Sequence, residues 1–320
     1  GARDEGDRHE PHDSRRRAAR TPAAPAPPAP SAGVPPGTPV LTAGTNLVVL
    51  PIIVRGRHGR VIPGLTKADF AVYDDGVPQT VQFFDSGEAP VTVGLVLDNS
   101  GSMQAKLSSV ISAATVFAQT SNPLDQIFVV NFNQRVSMGL PPGVPFTSSV
   151  PQLEKALDTV SAEGMTALYD AVVTALHHLA KGTHQRRVLL VISDGGDDAS
   201  RTTRQEAVAA AERANVTIYT VGLFDQYDDD RDPGVLKELA HVTGGEAFFP
   251  RHISDAARVC QRIARIIRSG YTIGYTPAGV GTRHGRHTIR VVLQGDAARH
   301  GYHVTTRPDY VTAPAPRERP

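Results

Sequence analysis

An apolar run gives way to polar side chains within the stretch Val93-Gly94-Leu95-Val96-Leu97-Asp98-Asn99-Ser100-Gly101-Ser102-Met103. The run is short and rich in valine, which predicts a buried β-strand that ends near Asp98. Apolar residues then recur at three- and four-residue steps over residues 107–118, which predicts a helix. Asp98, Ser100 and Ser102 should therefore lie on a loop at the carboxyl end of a strand, where open α/β sheets bind their ligands. Their oxygen atoms are hard donors, which suit Mg²⁺ or Ca²⁺ better than zinc or copper.

The residues around and after this loop alternate between strand and helix patterns. The predicted strands cover 92–97, 126–132, 135–138, 187–193, 216–222 and 246–249, and the predicted helices cover 104–120, 149–160, 167–180, 201–214, 233–243 and 254–268. Such alternation implies parallel strands joined by right-handed crossover helices. The predicted fold class is therefore α/β, a doubly wound, mostly parallel sheet flanked by helices. Segment 135–138 follows its neighbour too closely for a crossover, so we expect it to be an antiparallel edge strand.

Two later residues complete a pattern with the first loop. A threonine lies in Glu163-Gly164-Met165-Thr166-Ala167-Leu168, and an aspartate follows the apolar strand pattern in Val191-Ile192-Ser193-Asp194-Gly195. The whole set resembles the metal-ion-dependent adhesion site of von Willebrand factor type A domains, with all five positions filled in order. Those positions are Asp98, Ser100, Ser102, Thr166 and Asp194. The resemblance covers roughly residues 91–270.

The resemblance implies how these residues would hold a metal ion. In type A domains the serine and threonine hydroxyls bind the ion directly, so Ser100, Ser102 and Thr166 are the expected direct ligands. Asp98 and Asp194 would bind directly or through water. Mg²⁺ is the expected ion, with Ca²⁺ and Mn²⁺ as alternatives. The competing interpretation is that each aspartate only caps the helix that follows its strand.

The segments on both sides of the central block have different compositions, which predict four parts. Residues 1–39 form a disordered leader rich in Pro and Ala, and residues 313–320 form a polar tail. Strand patterns in 40–90 include an Asp-Gly hairpin signal at 74–78, between predicted strands 70–73 and 80–84. Further strand patterns occupy 271–275, 286–293 and 302–306. We expect 40–90 and 271–312 to form one β-sandwich-like domain into which a type A domain, 91–270, is inserted.

This arrangement resembles a group of mostly secreted bacterial proteins in which a type A domain interrupts flanking β-segments. The alternative is two separate β-appendages.

The leader contains Arg15-Arg16-Arg17, but neighbouring acidic residues cancel much of this charge, which favours a solvated linker over a nucleic-acid contact.

Composition excludes several classes of function for the 320 residues. The formal net charge is +1, so we expect no nucleic-acid partner. No apolar run reaches the ~18 residues of a membrane-spanning helix. Cys260 is the only cysteine, so an intramolecular disulfide is impossible. The chain starts at Gly1 rather than Met, which suggests that upstream sequence, such as a signal or an anchor, has been lost.

The function that follows from the resemblance is an adhesion-type module, which captures an Asp or Glu side chain of a partner protein through the bound ion. We expect a monomer that is not an enzyme, located outside the cytoplasm as a secreted, periplasmic or surface-attached protein. No catalytic residue is assigned, because the common nucleotide-binding, hydrolase and metalloprotease motifs are missing. One alternative is a metal-dependent hydrolase that uses Mg²⁺ at Asp98, Ser100 and Asp194, and another is an intracellular assembly subunit.

Three other features have two interpretations each. Asp228–Asp232 is interpreted as a solvated loop rather than a calcium site. Arginines on helix 254–268 form a basic face, which is typical of an ordinary amphipathic helix but would also suit an acidic partner. Four histidines fall in the predicted C-terminal hairpin. We interpret them as scattered side chains rather than as a histidine-rich metal site. They are His284, His287, His300 and His303.

Overall fold

The computed structural model of the chain describes residues 47–87, 89–158, 161–225, 231–278 and 285–312. The strands are β1 Val48–Arg55, β2 Phe70–Asp74, β3 Val77–Gln79, β4 Phe83–Asp85, β5 Val91–Asp98, β6 Gln126–Phe132, β7 Val136–Met138, β8 Arg186–Ser193, β9 Thr217–Gly222, β10 Ala247–Phe248, β11 Tyr271–Tyr275, β12 Gly285–Leu293, β13 His303–Thr305 and β14 Asp309–Thr312. The helices are α1 Leu107–Thr120, α2 Val150–Asp158, α3 Leu168–Leu179, α4 Arg204–Arg213, α5 Pro233–Val242 and α6 Ala256–Ser269. The predicted leader 1–39, the tail 313–320, Asp228–Asp230 and His284 lie outside the described residues.

The central block is built on a six-stranded sheet with the order β10-β9-β8-β5-β6-β7. Its first five strands are parallel, and β7 pairs antiparallel with β6 at the edge, as the short connection predicts. Every residue of β5 is buried, which is typical of a central strand with helices over both faces of its sheet. The predicted α/β class with a doubly wound, mostly parallel sheet is therefore confirmed.

The helices of this block are amphipathic and pack through small and branched side chains. In α6, Cys260 and Ile263 are buried, whereas Arg262 and Arg265 point to solvent. The predicted helix 104–120 begins as a 3₁₀ segment, Gly101–Lys106, and becomes α-helical only at Leu107. This 3₁₀ segment begins directly after Ser100, and the serine and glycine residues at its start disfavour a regular α-helix. Within the described ranges, every helix is too short or too polar to span a membrane.

Two four-stranded antiparallel sheets are built from the segments on either side of this block. Their orders are β13-β1-β11-β4 and β14-β12-β2-β3, so strands from before and after the block pair directly. Leu50 in β1 lies opposite Ile273, and Val72 in β2 lies opposite Val291. Apolar residues of both sheets share one buried cluster, which is distinct from the larger cluster of the central block. The division into an inserted domain and a β-domain, with boundaries at 90/91 and 270/271, stays a prediction.

The hairpin at Asp75 differs from its predicted form. The sequence suggested a five-residue turn at 74–78, whereas β2 continues to Asp74 and a two-residue turn, Asp75-Gly76, leads straight into β3. Both turn residues have positive φ, 47° and 82°, the geometry of a tight hairpin turn that follows the strand twist. The predicted strand 80–84 is therefore wrong as a hairpin partner, because β4 pairs with β11 in the other sheet. Strand β14 had no counterpart in the prediction.

Candidate metal centre

The candidate metal centre lies where neighbouring parallel strands end. Strands β5 and β8 pair in register, with Leu97 opposite Ile192. Asp98 is the last residue of β5, and Asp194 follows the last residue of β8. The two aspartates come together because parallel neighbours end at the same edge of the sheet, which is where open α/β sheets bind their ligands.

Four of the five predicted ligands form one chain of hydrogen bonds. Oδ1 of Asp98 accepts from the backbone N–H of Ser100 at 2.9 Å and from its hydroxyl at 2.6 Å. The hydroxyl oxygens of Ser100 and Ser102 are 3.2 Å apart. The Ser102 hydroxyl in turn donates to Oδ2 of Asp194 at 2.6 Å. Residues separated by 92 positions in the sequence thus meet in a cluster made only of oxygen donors.

Thr166 approaches this cluster through its backbone. Its N–H donates to Oδ1 of Asp198 at 2.7 Å, and its carbonyl accepts the N–H of Asp198 at 3.0 Å. The carbonyl of Gly164, two residues earlier, accepts the N–H of Gly101 at 2.8 Å. The Thr166 segment therefore connects the serine loop to the loop after Asp194. No hydrogen bond among the described residues joins the Thr166 hydroxyl to the other four side chains, so its role as a ligand stays a prediction.

Asp197 and Asp198 follow Asp194 on the next loop, and the structure gives them definite partners. Asp198 holds Thr166, as described above. Asp197 accepts the N–H of Tyr169, in the first turn of α3, at 2.9 Å and the hydroxyl of Ser200 at 2.6 Å. These contacts fix the loop that carries Thr166 and the start of the helix that follows it.

Two residues of the centre were missed by the sequence analysis. The hydroxyl of Ser193 donates to Oδ2 of Asp98 at 2.5 Å, so both oxygens of that carboxylate are occupied. Lys106 is fully buried, and its Nζ lies 3.6 Å from Oδ2 of Asp194. Its position within the predicted helix 104–120 gave no signal of this role, because lysine is almost never fully buried unless it is paired.

Burial and the closeness of two carboxylates make negative charge unfavourable in this centre. Asp98 is fully buried, and burial raises its pKa to about 6, with a further upward contribution from the charge of Asp194. Hydrogen bonds from Ser100 and Ser193 act in the opposite direction and lower the same pKa. Two close carboxylates with one buried ammonium leave the ionised centre short of positive charge. A set of hydroxyl and carboxylate oxygens in such a place fits a hard divalent cation.

Comparison with known proteins agrees with this fold. Residues 93–196 match the family described as von Willebrand factor type A domain. A solved von Willebrand factor type A protein from Catenulispora acidiphila is similar with a TM-score of 0.51 at 13% identity, covering 85% of this chain and 74% of that one. Proximal thread matrix protein 1 from the mussel byssus is similar with a TM-score of 0.50 at 14% identity, covering 61% of this chain and 50% of that one. At these identities the structural likeness shows the fold alone. Together with the family match over residues 93–196, it shows that the central block has an α/β fold like that of von Willebrand factor type A domains.

A similarity in sequence extends to one protein of unassigned function. The uncharacterized protein sll0103 of Synechocystis is 26% identical over 179 residues, which are 54% of this chain and 41% of that protein. The chain thus spans less than half the length of this relative.

Proposed function

We propose that the chain is an adhesion-type binding module, which captures an acidic side chain of a partner protein through a divalent cation held at Asp98, Ser100, Ser102, Thr166 and Asp194. The observation that carries the proposal is the continuous cluster of four oxygen-bearing side chains at the carboxyl edge of the parallel sheet. The type A domain around it supports a role in binding proteins.

Each residue has a definite part in this proposal. Ser100 and Ser102 present hydroxyl oxygens, and Asp98 and Asp194 accept hydrogen bonds from those hydroxyls and so set their direction. Asp198 positions the backbone of Thr166, whose hydroxyl would complete the set. The cation, when bound, supplies an electrophilic position for a partner carboxylate. A centre with few direct carboxylate ligands favours such a charged oxygen over water.

Mg²⁺ is the proposed ion, with Ca²⁺ and Mn²⁺ as the alternatives. The donor set is entirely oxygen, which excludes a preference for soft metals. Mg²⁺ requires near-octahedral geometry and keeps several waters, so a centre with some hydroxyl ligands and an open side suits it. Ca²⁺ takes six to eight oxygen ligands and would require more water or carbonyl donors than the side chains of this cluster provide.

We also propose that the chain is not an enzyme. A hydrolase would require a general base near the bound ion, and no histidine contacts Asp98, Ser100, Ser102 or Asp194 among the described hydrogen bonds. Both oxygens of Asp98 are already occupied by serine donors. Incubation with model phosphoesters in Mg²⁺ should give no turnover above that of Asp98→Ala, and turnover that Asp98→Ala abolishes would favour the hydrolase alternative.

The proposed location is extracytoplasmic, and the proposed state is a monomer. The β-strands that flank the type A domain and the Pro-rich leader support export, in line with the secreted bacterial proteins that the sequence resembles. Fractionation of the native host with an antibody against the chain tests the location. Recovery only in the cytoplasmic fraction would instead favour an intracellular assembly subunit.

A peptide selection tests the binding function without knowledge of the partner. The full chain is immobilised in Mg²⁺, exposed to a random peptide library and eluted with EDTA. We expect eluted peptides to be enriched in Asp or Glu, and to bind the exposed-site control Asp296→Ala but not Asp98→Ala. Peptides that lack acidic residues, or that bind equally in EDTA, would contradict the metal-bridge mechanism.

A further inference from the structure

A second group of metal-ligand side chains lies in the sheet β14-β12-β2-β3. Asp74 ends β2, Asp75 is the first residue of the hairpin turn, and His287 lies in β12. One potential ligand atom from each of the three lies within 4.8 Å of the others. Because the group belongs to a different sheet, it shares no residue with the candidate metal centre.

The imidazole of His287 faces both carboxylates through one nitrogen. Its Nδ1 is 2.9 Å from Oδ2 of Asp75 and 3.9 Å from Oδ1 of Asp74. Two donor atoms that each lie about 2.1 Å from a tetrahedrally coordinated ion are about 3.4 Å apart. The two measured separations therefore bracket the value that a shared ion requires.

Asp74 supplies the observation that points to a ligand. The residue is completely buried, and its Oδ2 accepts the hydroxyls of Tyr275 at 2.9 Å and Tyr310 at 2.8 Å. Its Oδ1, which faces His287, is buried and has no hydrogen-bond partner. A buried carboxylate oxygen without a partner is rare in folded proteins, and an ion bound there is one of the few arrangements that satisfy it.

The surroundings hold the other two side chains in position. The His287 ring stacks on Tyr310 with centroids 4.9 Å apart, and its Nε2 lies 3.4 Å from the Thr312 hydroxyl. A metal-binding histidine commonly donates its second ring N–H to such an oxygen, which fixes the tautomer. Oδ1 of Asp75 accepts the N–H of Thr288 at 2.8 Å, so its Oδ2 is directed to the imidazole.

We propose that Asp74, Asp75 and His287 bind one divalent transition-metal ion, for which Zn²⁺ fits best. One imidazole nitrogen and two carboxylate oxygens are ligands that Zn²⁺ accepts, whereas Mg²⁺ and Ca²⁺ prefer oxygen alone. The Asp75 side chain is 42% exposed, so water has access to the remaining coordination position. The ion would join the hairpin β2–β3 to β12, and Asp74 would extend this link to β11 through Tyr275.

Zn²⁺ titration of the full chain tests this proposal. The protein is freed of metal with chelator, and Zn²⁺ binding is followed by calorimetry in the Asp98→Ala background, which removes the candidate Mg²⁺ centre. We expect one Zn²⁺ per chain and a rise in melting temperature on binding. Asp75→Asn and His287→Gln should each weaken binding roughly tenfold or more, since removing a supporting partner alone costs about that much. His303→Gln, an exposed histidine in β13, is the control and should bind as the parent does.

Two results would overturn the proposal. One is the absence of Zn²⁺ binding by the folded Asp98→Ala chain. The other is Zn²⁺ binding that neither Asp75→Asn nor His287→Gln weakens. Zn²⁺ would then bind at other histidines, and His287 would only form ion pairs with Asp74 and Asp75. If His287→Gln fails to fold, Asp75→Asn decides alone, because a partly exposed turn side chain can change without loss of the core. Substitution with Co²⁺ gives a second readout, in which visible absorption bands report nitrogen and oxygen ligation.

Discussion

Asp98 shows how a single residue links burial, charge and binding. Its carboxylate lies in the interior beside that of Asp194, and serine hydroxyls occupy both of its oxygens. The strand and the serine spacing predicted that Asp98, Ser100 and Ser102 would share one loop, and the resemblance to type A domains implied that Asp194 would join them. The buried lysine and Ser193 could not be predicted, because the contacts that hold them depend on packing rather than on a local pattern.

The raised pKa of Asp98 predicts how acidity affects the metal-free protein. Its folded-state pKa of about 6 lies above the usual 3.8, so between these values the folded chain holds a proton that the unfolded chain has released. The free energy of unfolding contributed by Asp98 therefore falls as pH rises from about 4 to about 6, by on the order of 3 kcal/mol. In EDTA, Asp98→Asn should be more stable than the parent at pH 7 and nearly equal at pH 4, as measured by urea unfolding. A less stable Asn variant at pH 7 would contradict this assignment of the pKa.

Lys106 provides a second test at the scale of one residue. Its buried ammonium lies beside Asp194, so its removal takes a positive charge away from a buried carboxylate. Lys106→Met should lower the free energy of unfolding in EDTA by about 3 kcal/mol. Mg²⁺ should restore more stability to this variant than to the parent, because the cation replaces the lost charge. Lys181→Met, at an exposed position, is the control and should change neither quantity. Equal stability of Lys106→Met and the parent in EDTA would refute the role of the lysine.

Among the structural elements, the strands of the site follow from hydrophobic periodicity in the sequence, whereas the conformations of its loops do not. Hydrophobic periodicity predicted β5, β6 and β8 within about a residue, because buried parallel strands read as continuous apolar runs. The short connection after β6 predicted the antiparallel edge strand β7. The turn at Asp75-Gly76 was predicted too long, since its length follows from the pairing of β2 with β3 and not from the turn residues alone. The contacts of the Thr166 segment likewise come from three separate loops.

Gly164 tests the loop that carries Thr166. Its φ is +79°, and a Cβ there would lie 1.7 Å from Oε1 of Gln134, which accepts the N–H of Met165. Gly164→Ala should therefore cost about 1 kcal/mol in backbone strain and also displace the loop, which weakens Mg²⁺ binding. Gly143→Ala is a matched control, because its φ is +84° but a Cβ would meet nothing within 4 Å. Chemical denaturation should show a lower free energy of unfolding for both variants, with the larger loss for Gly164→Ala, and calorimetry should show weaker Mg²⁺ binding for Gly164→Ala alone. Unchanged Mg²⁺ binding in Gly164→Ala would exclude this loop from the site.

At the scale of the whole molecule, the chain has two apolar cores with different origins. The core of the central block draws its fully buried residues almost entirely from positions 91–267, with Ile53 as the exception. The second core draws on residues before and after that block, which meet through the pairs β1–β11 and β2–β12. Sequence alone suggested this arrangement through strand patterns at both ends, but could not give the pairing, which depends on contacts of long range.

The distribution of these cores predicts that the central block folds alone. A fragment covering residues 90–270 should unfold in one cooperative transition and bind Mg²⁺ as the full chain does. Thermal unfolding by circular dichroism and a Mg²⁺ titration measure the two properties. Deletion of residues 271–312 from the full chain should instead lead to aggregation, because β1 loses β11 and β13, and β2 loses β12. A fragment without a cooperative transition would contradict the proposed division into domains.

The proposed metal centre is tested by a calorimetric Mg²⁺ titration of the full chain and of Asp98→Ala. We expect one Mg²⁺ bound per chain, with affinity lowered roughly tenfold or more in Asp98→Ala. Asp296→Ala, at an exposed carboxylate, and His287→Gln, at the separate site in the β-sheet, should bind Mg²⁺ as the parent does. Equal Mg²⁺ affinity of Asp98→Ala and the parent would contradict the proposed metal centre, because the ion would then lie elsewhere in the molecule.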